Sequence, residues 1–275
     1  MTFSFGDPAA GLHGLARLGL SGAGPERDAS ALAVLFAGGE PVAAHARGDL
    51  RAGAGADFER LELDGLAATV DDPLRRWTLR FAAGEHGFEL TFEATGPPAD
   101  LEPSEPAAQA GGMAGYEQLC RVQGTVRARG RAHELRCLGQ RGHAWGEPDW
   151  GRIESARTLG AWLDDGSGVV LSAVRPSGAR GHEPEAIWAA LVGATGSLRV
   201  DDPRLSTTYD AAGRQRRAGL ELWVGEDDAY PRRATGEVVC GSTLDLGQLR
   251  LDCAFVRWLM DGHAGGGRYD VLRRA

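Results

Sequence analysis

Trp77-Thr78-Leu79-Arg80-Phe81-Ala82-Ala83-Gly84-Glu85-His86-Gly87-Phe88-Glu89-Leu90-Thr91-Phe92 alternates large apolar residues with polar ones on both sides of a turn-rich centre. A period of two puts Trp77, Leu79 and Phe81 on one face of an extended strand and Thr78 and Arg80 on the other. Phe88, Leu90 and Phe92 repeat the pattern against Glu89 and Thr91. The connector 82–87 makes the pair a β-hairpin. A second hairpin reads over 158–163, then Asp164-Asp165-Gly166-Ser167-Gly168, then 169–174. Further strand-like runs occur at 32–36, 122–128, 133–138, 186–192, 220–224 and 249–258, most of them bounded by Gly, Pro or Asp. This rhythm predicts an all-β, mostly antiparallel protein built as a sandwich or barrel. Helix is expected only as a turn or two at 115–121.

The stretch 94–115 is rich in Pro, Gly, Ala and acidic residues, a composition that cannot bury a core of its own. It predicts a linker at 101–114 between an N-terminal barrel-like domain, 1–100, and a C-terminal one, 115–275. Of the tryptophans only Trp77 precedes the linker; Trp145, Trp150, Trp162, Trp188, Trp223 and Trp258 follow it. An aromatic-walled pocket is therefore expected in the second half. Gly265-Gly266-Gly267 lacks the spacing of a dinucleotide loop and reads as a tight turn.

Composition removes several classes of function. At 275 residues the chain can hold one large core or two ordinary ones, and 43% hydrophobic with 25% charged residues excludes wholesale disorder. A net charge of −8 counts against a nucleic-acid partner. No apolar run approaches the roughly 20 residues needed to cross a bilayer as a helix, so no integral membrane association is expected. The opening Met1-Thr2-Phe3-Ser4-Phe5-Gly6-Asp7 has no basic, apolar signal character, and the cytoplasm is the expected location. All 30 basic residues are arginine, and there is neither lysine nor asparagine. A Walker A loop, a pyridoxal Schiff base and a lysine nucleophile are thereby excluded. Cys120, Cys137, Cys240 and Cys253 form no Cys-x-x-Cys pair, and His182-Glu183 has no second histidine at ligand spacing. No metal and no cofactor are expected.

Chemically capable side chains are densest in Gly139-Gln140-Arg141-Gly142-His143-Ala144-Trp145-Gly146-Glu147-Pro148-Asp149-Trp150. If 140–145 is extended, Arg141, His143 and Trp145 share one face and Gln140, Gly142 and Ala144 the other. Gly146 and Pro148 end the strand and set Glu147 and Asp149 on the turn beyond it. Two readings fit. Arg141, His143 and Trp145 line a lumen or its rim, or Arg141 pairs with Asp149 or Glu147 in a structural corner.

The segment resembles the signature of the lipocalin-like superfamily of bacterial carotenoid 1,2-hydratases (hydroxyneurosporene synthases) and AttH-like proteins. That signature is Arg-Asp-His/Arg-x-Trp-Gly, then Asp-Trp, then a tryptophan-bearing strand leading to an Asp-Gly hairpin. Arg141, His143, Trp145, Gly146, Asp149 and Trp150 match it, as do Trp162 and Asp165-Gly166. The opening Phe5-Gly6-Asp7-Pro8, with Gly11, Gly14 and Arg17-Leu18-Gly19-Leu20, is similar to the start of the same proteins. The resemblance implies two calycin-type β-barrel domains around a hydrophobic site. It also implies hydration of isoprenoid alkenes, lipid binding or pericyclic ring closure as activities. One position departs: Gly142 stands where the superfamily usually has aspartate.

The function expected from this is a lyase or isomerase, a hydratase or cyclase, acting on a small hydrophobic terpenoid, lipid or polyketide-like substrate. His143, Asp149 and Glu147 are the expected catalytic residues, since alkene hydration needs a proton donor and Gly142 supplies none. Arg141, Trp145, Trp150 and Trp162 are expected to bind the substrate. A non-catalytic carrier for the same kind of molecule is the alternative, and a partner-binding second barrel a third reading.

Overall fold

The computed structural model describes residues 1–22, 26–53, 55–179, 185–225 and 230–275; His182 and Glu183 lie outside them. Among these residues the chain forms β1 (Thr2–Asp7), β2 (Leu12–Ser21), β3 (Arg27–Ala37), β4 (Glu40–Ala52), β5 (Arg60–Leu63), β6 (Leu66–Asp72), β7 (Arg76–Ala83), β8 (His86–Ala94) and β9 (Ala99–Leu101). A single short helix, α1 (Pro106–Gly111), comes next. Then follow β10 (Met113–Ala128), β11 (Arg131–Gly146), β12 (Ile153–Leu163), β13 (Gly168–Pro176), β14 (Ala186–Gly193), β15 (Gly196–Arg199), β16 (Asp202–Tyr209), β17 (Gln215–Trp223), β18 (Arg232–Asp245), β19 (Leu249–Met260) and β20 (His263–Arg274).

The alternation read from the sequence is the alternation of burial. In the β7–β8 hairpin Trp77 faces Phe92, Leu79 faces Leu90 and Phe81 faces Phe88, and all six are buried. Arg80 and Glu89 pair at 2.9 Å on the exposed face. In the β12–β13 hairpin Leu159 faces Leu171 and Ala161 faces Val169. Its turn is closed by Ser167, whose N–H and hydroxyl donate to Asp165 Oδ1 at 2.9 and 2.7 Å.

One sheet runs β4-β3-β2-β1-β11-β10-β8-β7-β6-β5 with β9 paired to β10; the other runs β15-β14-β13-β12-β20-β19-β18-β17-β16. They make a nearly closed barrel and a half-barrel, so the fold is the expected all-β pair of barrel-like bodies. In the nine-stranded sheet Val200 N–H donates to Ala189 O and Asp201 N–H to Trp223 O, both at 2.9 Å. Residues 200 and 201 thus carry the chain from one edge of that sheet to the other.

Two compact units result, Met1–Thr95 with Leu119–Gly142, and Gly96–Gln118 with His143–Ala275. Each draws on two stretches of chain, not on one side of a linker. The first unit has a core that includes Phe3, Phe5, Trp77, Phe81, Phe88 and Phe92; that of the second includes Leu159, Leu171, Leu220, Trp258 and Tyr269.

Three local expectations are corrected. The stretch 101–114 holds the end of β9, all of α1 and the start of β10. Pro106 stands at the helix start, where its missing N–H costs nothing, and Gly112 closes the helix in the left-handed conformation at φ 63°. Ala107, Ala108 and Gly111 bury the helix against β13 and β14. Residues 115–121 are strand, because Gly115, Tyr116 and Glu117 pair with β9 and Cys120 and Arg121 with β8. The glycines 265–267 lie inside β20, where a Cβ on Gly265 would fall 1.9 Å from Trp162 O. Gly265 and Gly267 are strand glycines required by close backbone approach.

His13, on β2, is buried, and that burial pushes its imidazole down to about 4, with Asp7 acting weakly the other way. The folded state therefore disfavours the charged ring. The stability this contributes is present above pH 6.5 and lost as pH falls towards 4. Chemical denaturation of wild type and His13→Gln should show that between pH 7 and pH 4 the wild type loses about 3 kcal/mol that the variant does not.

Candidate functional site

The residues expected to form one site fall in both compact units. Arg141 is extended on β11 as expected and belongs to the first unit, opposite Phe3 of β1. It is 2% exposed, and its guanidinium carbon lies 4.1 Å from the centre of the Trp77 ring. A desolvated cation over an indole face is a stabilising contact of about 2 kcal/mol. The indole that Arg141 meets is thus the one tryptophan in the first hundred residues.

His143 and Trp145 fall in the second unit with Tyr116, which the sequence reading passed over. Ring centroids lie 5.9 Å apart for His143 and Trp145, 6.1 Å for Tyr116 and His143, and 6.2 Å for Tyr116 and Trp145. Trp145 is 50% exposed, so this is an open shelf and not a core. Beyond it Gly146 adopts φ 139°, where a Cβ would sit 2.2 Å from Gly112 O. Only glycine fits that crossing. Glu147 and Asp149 are exposed, and Asp149 Oδ1 accepts from Gly151 N–H at 2.9 Å. Trp150 is half-buried.

Trp162 takes a different place. It is 1% exposed, on β12, and faces away from the core formed by Leu159, Ala161 and Leu163. The same face carries a charged cluster that the sequence reading missed. Arg268 of β20 lies opposite Gly160, two residues from Trp162, and Asp270 lies opposite Thr158. On the other side of β20, Phe255 stands opposite Arg268. Arg268 Nη2 donates to Glu117 Oε1 at 3.0 Å and Nη1 to Asp270 Oδ2 at 3.2 Å. The side chains of Arg268 and Asp270 are 2% and 3% exposed, whereas Glu117 keeps 20%. Two carboxylates thus meet one guanidinium. Arginine and aspartate two apart in a strand normally mark the solvent face, which is why Gly-Arg-Tyr-Asp-Val gave no signal.

The opposite face of β20 holds a second network. Arg157 Nε donates to Glu185 Oε1 at 2.8 Å, and its Nη1 donates to Thr207 Oγ1 at 3.0 Å and to the Tyr269 hydroxyl at 3.2 Å. The Tyr269 and Thr207 hydroxyls are 2.6 Å apart. Burial pushes the Tyr269 phenol up to about 12, against a smaller downward pull from Arg157.

Other features carry less chemistry. A concavity of about 650 Å³ on β16–β19 is bordered by Arg217, Glu237 and Arg257, and Arg257 donates to Glu237 at 3.0 Å. None of the expected site residues lines it. Asp164, Asp165 and His263 bring ligand atoms close enough to hold an ion, but all three are exposed and Asp165 already caps Ser167. Cys120, Cys240 and Cys253 are buried, and burial pushes the Cys137 and Cys240 thiols up to about 12, away from reactivity. Among the described residues no helix is long and apolar enough to cross a membrane.

Over residues 1–275 the sequence matches the family described as DUF7064, a domain of unknown function. The chain belongs to the DUF7064 family. No curated protein matches it in sequence. Solved structures share its architecture along nearly the whole length. The AttH candidate of Nitrosomonas europaea is 17% identical with a TM-score of 0.69, over 98% of this chain and 90% of that one. Kievitone hydratase of Nectria haematococca is 10% identical with a TM-score of 0.68, over 99% and 88%. CghA, with Sch210972, is 12% identical with a TM-score of 0.66, over 100% and 88%. The DUF7064 chain therefore has the fold of the AttH-like, lipocalin-like superfamily that its 141–150 segment resembles.

The exposure of Trp145 yields a direct check. Acrylamide quenching should show a readily accessible tryptophan component that Trp145→Phe removes and Trp162→Phe leaves in place.

Proposed function

We propose that this protein is a lyase or isomerase, a hydratase or cyclase, acting on a small hydrophobic terpenoid, lipid or polyketide-like molecule, and that Glu117 is its proton donor. The observation that carries the reading is the Glu117–Arg268–Asp270 cluster on the sheet face that also bears Trp162 and Phe255. Protonating an alkene needs a carboxyl group within reach of it, and aromatic faces stabilise the cation that forms. Glu117 is the partly open member of the cluster, so it is the one a substrate can touch. In hydration its proton goes to one alkene carbon and water adds at the other. The proton that water gives up returns to the Glu117 carboxylate. Kievitone hydratase, by its name, does hydration chemistry on this fold.

His143, beside Tyr116 and Trp145, is a second group able to move a proton, on the shelf that the sequence motif builds. Glu147 and Asp149 follow it in the exposed turn. Gly142, in place of the superfamily's usual aspartate, favours the other reading, a carrier that binds such molecules without converting them.

The test is turnover of a panel of isoprenoid and prenylated aromatic alkenes in isotopically labelled water, with products read by mass spectrometry. Glu117→Gln should lower turnover by about 10²–10⁴ while the affinity for an apolar fluorescent probe stays nearly constant. If His143→Ala or Asp149→Asn is the damaging change and Glu117→Gln is tolerated, the chemistry lies on the motif and not at Glu117. Probe binding by a wild type that converts none of the panel would make the protein a carrier.

A further inference from the structure

We infer that Tyr269 is the positioning residue of the Glu117–Arg268–Asp270 cluster, acting from the opposite face of β20; this rests on the function proposed above. Tyr269 is the residue between Arg268 and Asp270, so its backbone sets the spacing of the two groups that hold Glu117. Side chains alternate along a strand, and Tyr269 therefore points away from the cluster, into the core of the second unit.

Its grip there is unusually complete. The hydroxyl accepts from Arg157 Nη1 at 3.2 Å and lies 2.6 Å from Thr207 Oγ1. Arg157 is itself held by Glu185 through Nε at 2.8 Å and through a second ion-pair contact at Nη2. The Tyr269 carbonyl accepts from Gln215 Nε2 at 2.8 Å, and the same amide donates to Asp252 O of β19 at 2.9 Å. Gln215 and Tyr269 are both buried. Side chain and carbonyl are thus fixed independently, by β12 and β16 on one side and by β17 on the other. A strand anchored only by its ladder can slide or twist by fractions of an ångström. One fixed at this residue from both directions holds Arg268 and Asp270 in one place, and a misplacement of about 1 Å in a reacting group costs up to about 10²-fold in rate.

The experiment measures how fast an apolar aryl diazoacetamide, which esterifies carboxylic acids with loss of N₂, labels Glu117 in the full chain. Peptide mass spectrometry reads the label, and the exposed carboxylates Glu147 and Asp149 serve as reference sites. Wild type should be labelled at Glu117 ahead of both reference sites. Tyr269→Phe should lower the Glu117 rate per folded molecule by roughly 10–10²-fold, leave the reference sites unchanged, and lower kcat with KM retained. Should Tyr269→Phe fail to fold, Thr207→Val removes the shorter of the two hydroxyl contacts from half-buried β16, and a loss in the same direction is expected. A melting temperature that falls while Glu117 labelling per folded molecule and kcat stay at the wild-type level overturns the positioning role alone. Absence of Glu117 labelling in wild type overturns the proton-donor reading and the role of Tyr269 with it.

Discussion

A guanidinium that is 2% exposed must have its charge met inside the protein, and Arg268 imposes that requirement on the second unit. Asp270 satisfies part of it from the same strand, two residues on. The rest is supplied by Glu117, more than a hundred residues earlier in the chain. The cluster therefore fixes where the first residues of β10 lie against β20, and β9, which pairs with Gly115–Glu117, follows. Space for the large side chain comes from its cross-strand neighbour Gly160, which has none. Glycine at 265 and 267 serves a related end: a Cβ at Gly267 would lie 2.0 Å from Gly160 O and 2.6 Å from the Trp258 indole nitrogen. Breaking one half of such a pair leaves a buried charge without a partner, typically a loss of about 3–5 kcal/mol.

The strands were legible because each has one face in a core and a period of two survives in the sequence, as in Trp77–Phe81 against Phe88–Phe92. What was illegible shares a physical cause. Pro106 and Gly112 read as linker punctuation, yet they are the start and stop of a six-residue helix too short to show a 3.6-residue period. Glu117 sat in a run read as helical, because the pairing partner that makes it strand, Ala99, lies in the Pro-rich stretch. Arg268 and Asp270 obey the alternation rule and violate the inference drawn from it. Their face is covered, and no local pattern reports what covers a sheet face. Arg141 was read as lining a lumen or pairing with Asp149 or Glu147, and nothing in the sequence pointed to Trp77 as its partner.

The superfamily motif is consequently a better guide to fold than to chemistry in this chain. Gly146 and the hairpin at Asp165-Gly166 are required by backbone geometry, and the match at those positions says that the chain turns as the superfamily does. At Gly142, where chemistry was expected, the carboxylate is missing. Glu147 and Asp149 do not replace it by burial, since both are exposed and Asp149 caps its own turn. The carboxylates that meet a buried guanidinium are instead Glu117 on β10 and Asp270 on β20, strands that the motif does not include.

Holding Glu117 from Arg268 ties the proposed site to the stability of β20. The strand carries a buried polar network on each face: Arg268 and Asp270 outward, and Tyr269 inward with Arg157, Thr207 and Glu185. Each network resists the removal of a partner because the remaining groups are buried, and each constrains the backbone that the other needs. Loss of activity on truncating Arg268 would thus not distinguish a lost proton relay from a displaced strand. Substitutions that retain shape and remove one proton or one hydroxyl, at Glu117 or Tyr269, separate the two, because they leave the guanidinium and its second carboxylate in place. Under the proposed roles the Tyr269 variant reports on geometry and the Glu117 variant on chemistry, two different terms of one rate.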